Sequence, residues 1–224
     1  MSKNLDYFNL QADDFGENFV WGVSTAAYQN QHGNHACEFY HRFQEDILLM
    51  KKMNIDHFRL SLSWPRILPN GTGAINNRGI GFYNDVINFC LECGITPWVT
   101  LYHWDLPLAL EEKGGWANRE IVEWFQEYVT VCATNFGDRV KNWMVLNEPM
   151  VFTGAGYFLG VHAPGRRGLK NFLPSVHHAV LCQAAGGRIL RNLVANAHIG
   201  TTFSCSQISP YMNNPKDLKA GCHA

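Results

Sequence analysis

The sequence predicts an α/β fold built on a parallel sheet of the (β/α)-barrel type, and three observations predict it. From residue 19 onward, short runs of β-branched and aromatic residues alternate with longer stretches of helical periodicity, five times over, which is the pattern of successive βα units. No glycine-rich phosphate loop follows the first of these strands, which disfavours a doubly wound nucleotide-binding sheet. Polar and aromatic residues gather where the strands end: Tyr28 and Gln29, Ser63 and Trp64, His103 and Trp104, Asn147 and Glu148. In a barrel, those C-terminal strand ends carry the catalytic set.

The elements follow in order. A first strand is expected over residues 19–26, then a helix over 38–53 in which Phe43, Ile47, Met50 and Met53 recur at helical spacing. A second strand over 57–64 leads through a Pro- and Gly-rich loop, ending near Gly73, to a helix over 80–92 with Gly94 as its C-terminal cap. The third strand is 96–103. A helix over 119–136 places Ile121, Trp124, Phe125, Tyr128 and Cys132 on one face, and the fourth strand, 142–147, follows it. A loop rich in glycine (Gly154, Gly156, Gly160, Gly165, Gly168) then precedes a helix over 173–194 and a fifth strand over 198–205. No linker, low-complexity tract or tight repeat interrupts this series, so residues 1–224 read as a single domain.

Composition narrows the partner. Lys and Arg number 18 against 19 Asp and Glu, so a net charge of -1 exerts no pull on nucleic acid or an anionic membrane, and a neutral small molecule is expected. A content of 46% hydrophobic and 17% charged residues suits a sizeable core. Seven Trp suit a sugar cleft, where flat rings cover the apolar face of a pyranose, although most Trp in any protein are core residues. Residues 1–16 show neither a basic n-region nor an apolar h-region, and no apolar run is long enough to span a bilayer, so a cytoplasmic protein is the expectation. Seven scattered Cys argue against a disulfide framework, and the Cys90–Cys93 C-x-x-C lacks a second pair to complete a zinc site. No metal and no cofactor is expected.

Four segments taken together resemble glycoside hydrolase family 1, the β-glucosidase family. Residues 19–29 read FVWGVSTAAYQ, 57–67 HFRLSLSWPRI, 100–107 TLYHWDLP and 145–149 VLNEP, in the family's order, and GVHAPG at 160–165 adds a fifth match. The resemblance implies a (β/α)8 barrel, of which this chain holds the first five units, and hydrolysis of β-linked glycosides with retention of configuration. Such cleavage uses two carboxyl groups roughly 5 to 5.5 Å apart, one delivering a proton to the leaving oxygen and one attacking the anomeric carbon. By resemblance Glu148 is the acid/base and Arg59 the cation that keeps the nucleophile ionised. Likewise Asn147 binds the sugar 2-hydroxyl, and Gln29, His103 and Trp104 hydrogen-bond the other hydroxyls of the non-reducing sugar. Residues 150–158 would line the aglycone side. The thioglucosidase branch, which carries Gln in place of the acid/base, is disfavoured by Glu148 itself.

Two departures stand out. The family's nucleophile lies in a T-E-N-G-like segment on the seventh strand, no E-N-G follows Pro149 here, and neither Asp105 nor Glu111 replaces it. Five strands cannot close a barrel, and the open first and fifth edges invite pairing with another chain. The alternative function is therefore a catalytically inactive sugar-binding fragment, or half of a split barrel that needs a C-terminal partner or associates with itself. The second departure follows Gln29: Gln31 stands where the family has Glu, and NQHGNHAC connects almost directly to the helix near Glu38, so either the first loop is shortened or residues are omitted here and the true chain is longer. That shortening gathers His32, His35, Cys37 and His41, a mixture resembling metal ligands, but His41 belongs to a helix start ordinary for the family.

Overall fold

A computed structural model describes residues 15–16, 19–26, 38–205, 215–216 and 219. Its five strands are β1 (Gly22–Ser24), β2 (His57–Ser61), β3 (Thr96–Tyr102), β4 (Asn142–Asn147) and β5 (His198–Thr202), hydrogen-bonded in chain order as one sheet. Every pair is parallel: Gly22 lies beside His57, Arg59 beside Trp98, Thr100 beside Met144, and Asn142 beside His198. Parallel neighbours need a crossover, and helices supply it: α1 (Phe39–Lys52), α3 (Asn77–Glu92), α5 (Ile121–Phe136) and α7 (Leu169–Leu193). A sheet whose spatial order never reverses has no switch point, so the wall is that of a barrel rather than a doubly wound sheet. Among the described residues, β1 and β5 are each paired on one side only.

Helix faces follow from the apolar spacing. In α5, Ile121, Phe125, Tyr128, Val129, Cys132, Ala133 and Phe136 are buried, three or four residues apart. Trp124 falls at the border of that stripe rather than in it, and Lys113 Nζ sits 5.7 Å from its ring. The long α7 buries small residues, among them Ala179, Cys182, Ala185, Gly186 and Gly187. A Cβ on Gly186 would come within 2.9 Å of Val145 Cγ1 and 3.1 Å of Phe125 Cε1, so glycine there lets α7 lie close on β4 and α5. α3 is stopped by Gly94 at φ +77, as its sequence predicts, but begins three residues before the expected 80, where the Asn76 side chain accepts from the Arg78 N–H.

The structure alters several expected bounds. β1 is three residues long, and Phe19 and Trp21 stay outside it, about half-exposed and packed on each other and on Phe15. β2 ends at Ser61 because Pro65 starts a short helix, α2 (Trp64–Ile67), whose Trp64 is fully buried and stacks on Tyr128 at 4.7 Å. The glycine-rich stretch after β4 is not an open loop but α6 (Pro149–Thr153) followed by a wide π-type turn over Gly154–Leu159. A further short helix, α4 (Leu108–Glu111), and a 3₁₀ turn, Gly115–Ala117, fill the connection after β3. α7 begins four residues before the expected start and carries Pro174 internally, early enough that the ring interrupts only the first turns. Trp64, Trp116 and Trp143 are core residues, so much of the tryptophan content serves packing and not sugar.

Candidate active site

The geometry begins with the end of β4. Asn147 is its last residue, and Glu148 turns the chain into α6 with φ 45 and ψ 63, a left-handed conformation that a non-glycine residue rarely takes. Such a residue costs of order 1–3 kcal/mol and persists only where its surroundings hold it. Here they do: the Glu148 N–H donates to the Thr202 carbonyl at 2.9 Å, and the Glu148 carbonyl accepts from the Val151 N–H at 2.9 Å. Glu148 is half-buried there, at the C-terminal end of β4.

Beside it, β2 and β3 contribute a charged and a neutral base. Arg59 donates from Nη2 to Asn147 Oδ1 at 2.5 Å and from Nε to Thr100 Oγ1 at 2.8 Å. Burial lowers the Arg59 pKa and the Glu148 carboxylate opposes that shift, so the two charges lie within each other's field. With Oδ1 of the buried Asn147 taken by Arg59, the amide N–H pair is the group left to offer a ligand. His103 bonds through Nδ1 to Ser61 Oγ at 2.7 Å. Burial, and then the Arg59 charge, push the His103 pKa down to about 4, so the ring is neutral across the physiological range and able to meet hydroxyl groups without titrating.

Trp104 departs from the expectation. Its backbone is also left-handed, at φ 78, and its indole N–H donates to the Asn147 carbonyl at 2.9 Å. An indole has one donor and no acceptor, so the group expected to bind a sugar hydroxyl is engaged within the protein. Gln29, together with Tyr28, lies outside the described residues, as do His32, His35 and Cys37; His41 sits exposed in the first turn of α1. The structure thus brings together Arg59, His103, Trp104, Asn147 and Glu148. Within residues 150–158, expected to line the aglycone side, Met150 and Phe158 are exposed.

Two residues of this end carry roles that the sequence did not suggest. Glu111, set aside as a nucleophile, accepts from Tyr157 Oη at 2.6 Å and from Arg166 Nε at 2.5 Å, while its backbone carbonyl accepts from Arg166 Nη2 at 2.9 Å. Tyr157 in turn accepts the Trp116 N–H at 3.1 Å, so the connection after β3 is tied to the connection after β4. Gly115 makes room for this tie, since a Cβ there would fall 2.0 Å from Glu111 Oε2. Asp105 is the other: both carboxyl oxygens are sealed from solvent, and among the described residues neither has a hydrogen-bond partner of full geometry, the Ser63 hydroxyl and the Trp64 N–H being only weak neighbours. Burial raises its pKa to about 7, and the nearby Ser63 hydroxyl and Arg66 charge offset that only in part.

The family described as Glycosyl hydrolase family 1 matches residues 29–223. The chain belongs to glycosyl hydrolase family 1. It is 43% identical to Beta-glucosidase A of Thermotoga maritima, over 94% of this chain and 53% of that protein. It is 40% identical to the 1,4-beta-D-glucan glucohydrolase of Thermotoga neapolitana, over 92% of this chain and 55% of the relative. Among solved structures, the T. maritima beta-glucosidase in complex with glucoimidazole superposes with a TM-score of 0.87 at 42% identity, covering 93% of this chain and 54% of that one. The family 1 chain described here therefore spans about half the length of the curated relatives it matches. Its alignment with Beta-glucosidase A runs over 238 positions, more than the 224 residues present, so the relative carries residues without a counterpart here. That agrees with a shortened connection somewhere in this chain, as the sequence after Gln29 suggests.

Proposed function

We propose that the full-length protein is a retaining β-glycosidase acting on β-linked glucosides or short oligosaccharides, with this chain forming the N-terminal part of its barrel domain and Glu148 as acid/base. The observation that carries the reading is Glu148 itself, held in a left-handed turn at the C-terminal end of β4 with the Arg59–Asn147 bond beside it, in a family 1 chain. In the first step the Glu148 carboxylic acid gives its proton to the glycosidic oxygen while a second carboxylate attacks the anomeric carbon. In the second step the Glu148 carboxylate takes a proton from a water whose oxygen attacks the anomeric carbon and displaces the second carboxylate from it, which releases the sugar with its original configuration. Asn147 offers its N–H pair to the 2-hydroxyl, a contact that tightens as positive charge develops at the neighbouring carbon. His103 and Gln29 are assigned to the other hydroxyls, and Arg59 supplies the fixed positive charge. The attacking carboxylate is assigned to no residue of these 224.

The test is hydrolysis of p-nitrophenyl and alkyl β-D-glucosides by the full-length gene product. We expect turnover, and a loss of about 10² to 10⁴ on the alkyl substrate in Glu148→Gln, the range that a positioned acid/base supplies. Absence of turnover, or equal rates in the variant, would sink the reading. The half-paired edges β1 and β5 are read as the places where the remaining barrel strands join, on the same chain, a C-terminal half or another copy. Co-expression with a C-terminal half that yields no complex would count against the separate-chain version. A cytoplasmic place in carbohydrate metabolism is supported by the near-neutral charge and by the free, buried thiols of Cys90, Cys132 and Cys182. No helix among the described residues is long and apolar enough to cross a membrane.

A further inference from the structure

Two non-glycine residues of the site hold left-handed backbone, Trp104 at φ 78 and Glu148 at φ 45, and one hydrogen bond joins their turns. The Asn147 carbonyl that accepts the Trp104 indole N–H at 2.9 Å belongs to the same peptide unit as the Glu148 N–H, which donates to the Thr202 carbonyl at 2.9 Å. This peptide plane is therefore gripped on one side from the connection after β3 and on the other from β5. Its orientation fixes φ of Glu148, and with it the direction in which the carboxyl group leaves the backbone. The indole is itself wedged, with the His103 ring at 5.5 Å and the His162 ring at 5.6 Å.

We propose that Trp104 is a positioning residue for the acid/base: through the Asn147 carbonyl it holds Glu148 in its left-handed turn, and it does not serve as a hydroxyl donor to the sugar. The inference rests on the reading of Glu148 given above. Its consequence is selective. Removing the indole N–H should impair proton delivery to the leaving oxygen while leaving recognition of the sugar hydroxyls intact.

Leaving groups separate those two effects. An alkyl β-glucoside needs its oxygen protonated to depart, whereas 2,4-dinitrophenolate leaves without a proton, so only the first depends on a well-placed acid. In the full-length protein, Trp104→Phe keeps an aromatic ring and deletes the N–H. We expect kcat/KM on the alkyl glucoside to fall about tenfold, equivalent to about 1.4 kcal/mol and to one hydrogen bond. On the dinitrophenyl glucoside the change should stay under about twofold, a difference within the scatter of ordinary surface effects. In a Glu148→Gln background the same substitution should add nothing, because residues that act as one unit are not additive. Equal losses on both substrates and in both backgrounds would assign the N–H to the sugar and overturn the inference, as would no loss on either. If Glu148→Gln itself fails to discriminate between the leaving groups, the acid/base reading fails; if it discriminates and Trp104→Phe does not, only the present inference falls. Should the phenylalanine variant not fold, benzothienylalanine at position 104, with sulfur in place of the N–H and the same shape, carries the same expectations.

Discussion

The β3–β4 side of the sheet and the β1 edge are built by different means. Strands β3 and β4 are seven and six residues long, are buried along most of their length, and end in connections cross-tied by Trp104 to Asn147 and by Glu111 to Tyr157 and Arg166. β1 is three residues long, pairs on one side only among the described residues, and is preceded by a half-exposed aromatic trio, Phe15, Phe19 and Trp21. The contrast teaches that the part of the site around Glu148 is held by contacts among β2, β3, β4 and β5 and their own connections. The portion expected around Gln29 follows that edge strand and lies outside the described residues.

Substitutions should sharpen this contrast, the largest first. Trp116 is fully buried, donates from Nε1 to Tyr102 Oη at 2.9 Å and packs its ring against Phe152 at 4.9 Å. Trp116→Ala is expected to cost about 3–5 kcal/mol, the usual range for a core aromatic, read as a lowered denaturation midpoint in urea. Next comes the tie between the two connections. Glu111→Ala strands Arg166 and leaves the Tyr157 hydroxyl without its acceptor, for an expected loss of roughly 1.5–3 kcal/mol, the worth of hydrogen bonds to a charged group. A melt unchanged from the parent would show that the tie carries no stability.

Asp105 gives a pH-dependent test on the same side. Its folded pKa of about 7 stands above the ordinary value of 3.8, so the folded state binds its proton more tightly than the unfolded chain. Its contribution to stability is then fully present below about pH 4 and is lost as the pH rises through 7. Asp105→Asn, which cannot ionise, should gain in melting temperature relative to the parent across that window and show a constant difference above it; a difference independent of pH between 4 and 7 would falsify the shift. The smallest effect is predicted at the β1 edge. Phe19→Ser, at a residue 47% exposed and outside any strand, should change stability by less than about 0.5 kcal/mol. A loss of several kcal/mol there would break the comparison and show the edge to be as well held as β3.

Much of the fold was legible because its signals are local. Alternating strand and helix periodicities place the five units, the β4 bounds at 142 and 147 agree with those expected, and Gly94 closes α3 where a left-handed residue is required. The errors fall where a turn or a short helix interrupts a run of apolar residues. HFRLSLSW reads as one strand, yet Pro65 and the burial of Trp64 against Tyr128 convert its end into α2. The glycines after β4 read as loop, yet they allow close packing: a Cβ on Gly156 would lie 2.6 Å from the Ala163 carbonyl oxygen.

For the site, residue types and strand-end positions were enough to single out His103, Trp104, Asn147 and Glu148, because side-chain chemistry and place along a strand are properties of the local chain, while Arg59 and the role given to each residue came from the resemblance to family 1. The partners of those residues were not. Arg59 and Asn147 are 88 positions apart, Glu111 and Arg166 are 55 apart, and the Trp104 N–H meets a carbonyl 43 positions away. Which donor meets which acceptor depends on sheet register and on the path of the connections, which only tertiary packing sets. The sequence by itself determined the family, the order of the βα units and the chemistry present at the strand ends. The tertiary structure alone decided that Glu148 and Trp104 take left-handed backbone, that Trp104 turns its one donor inward, and that the Asp105 carboxyl group is sealed from solvent, because each of these follows from neighbours brought close by folding.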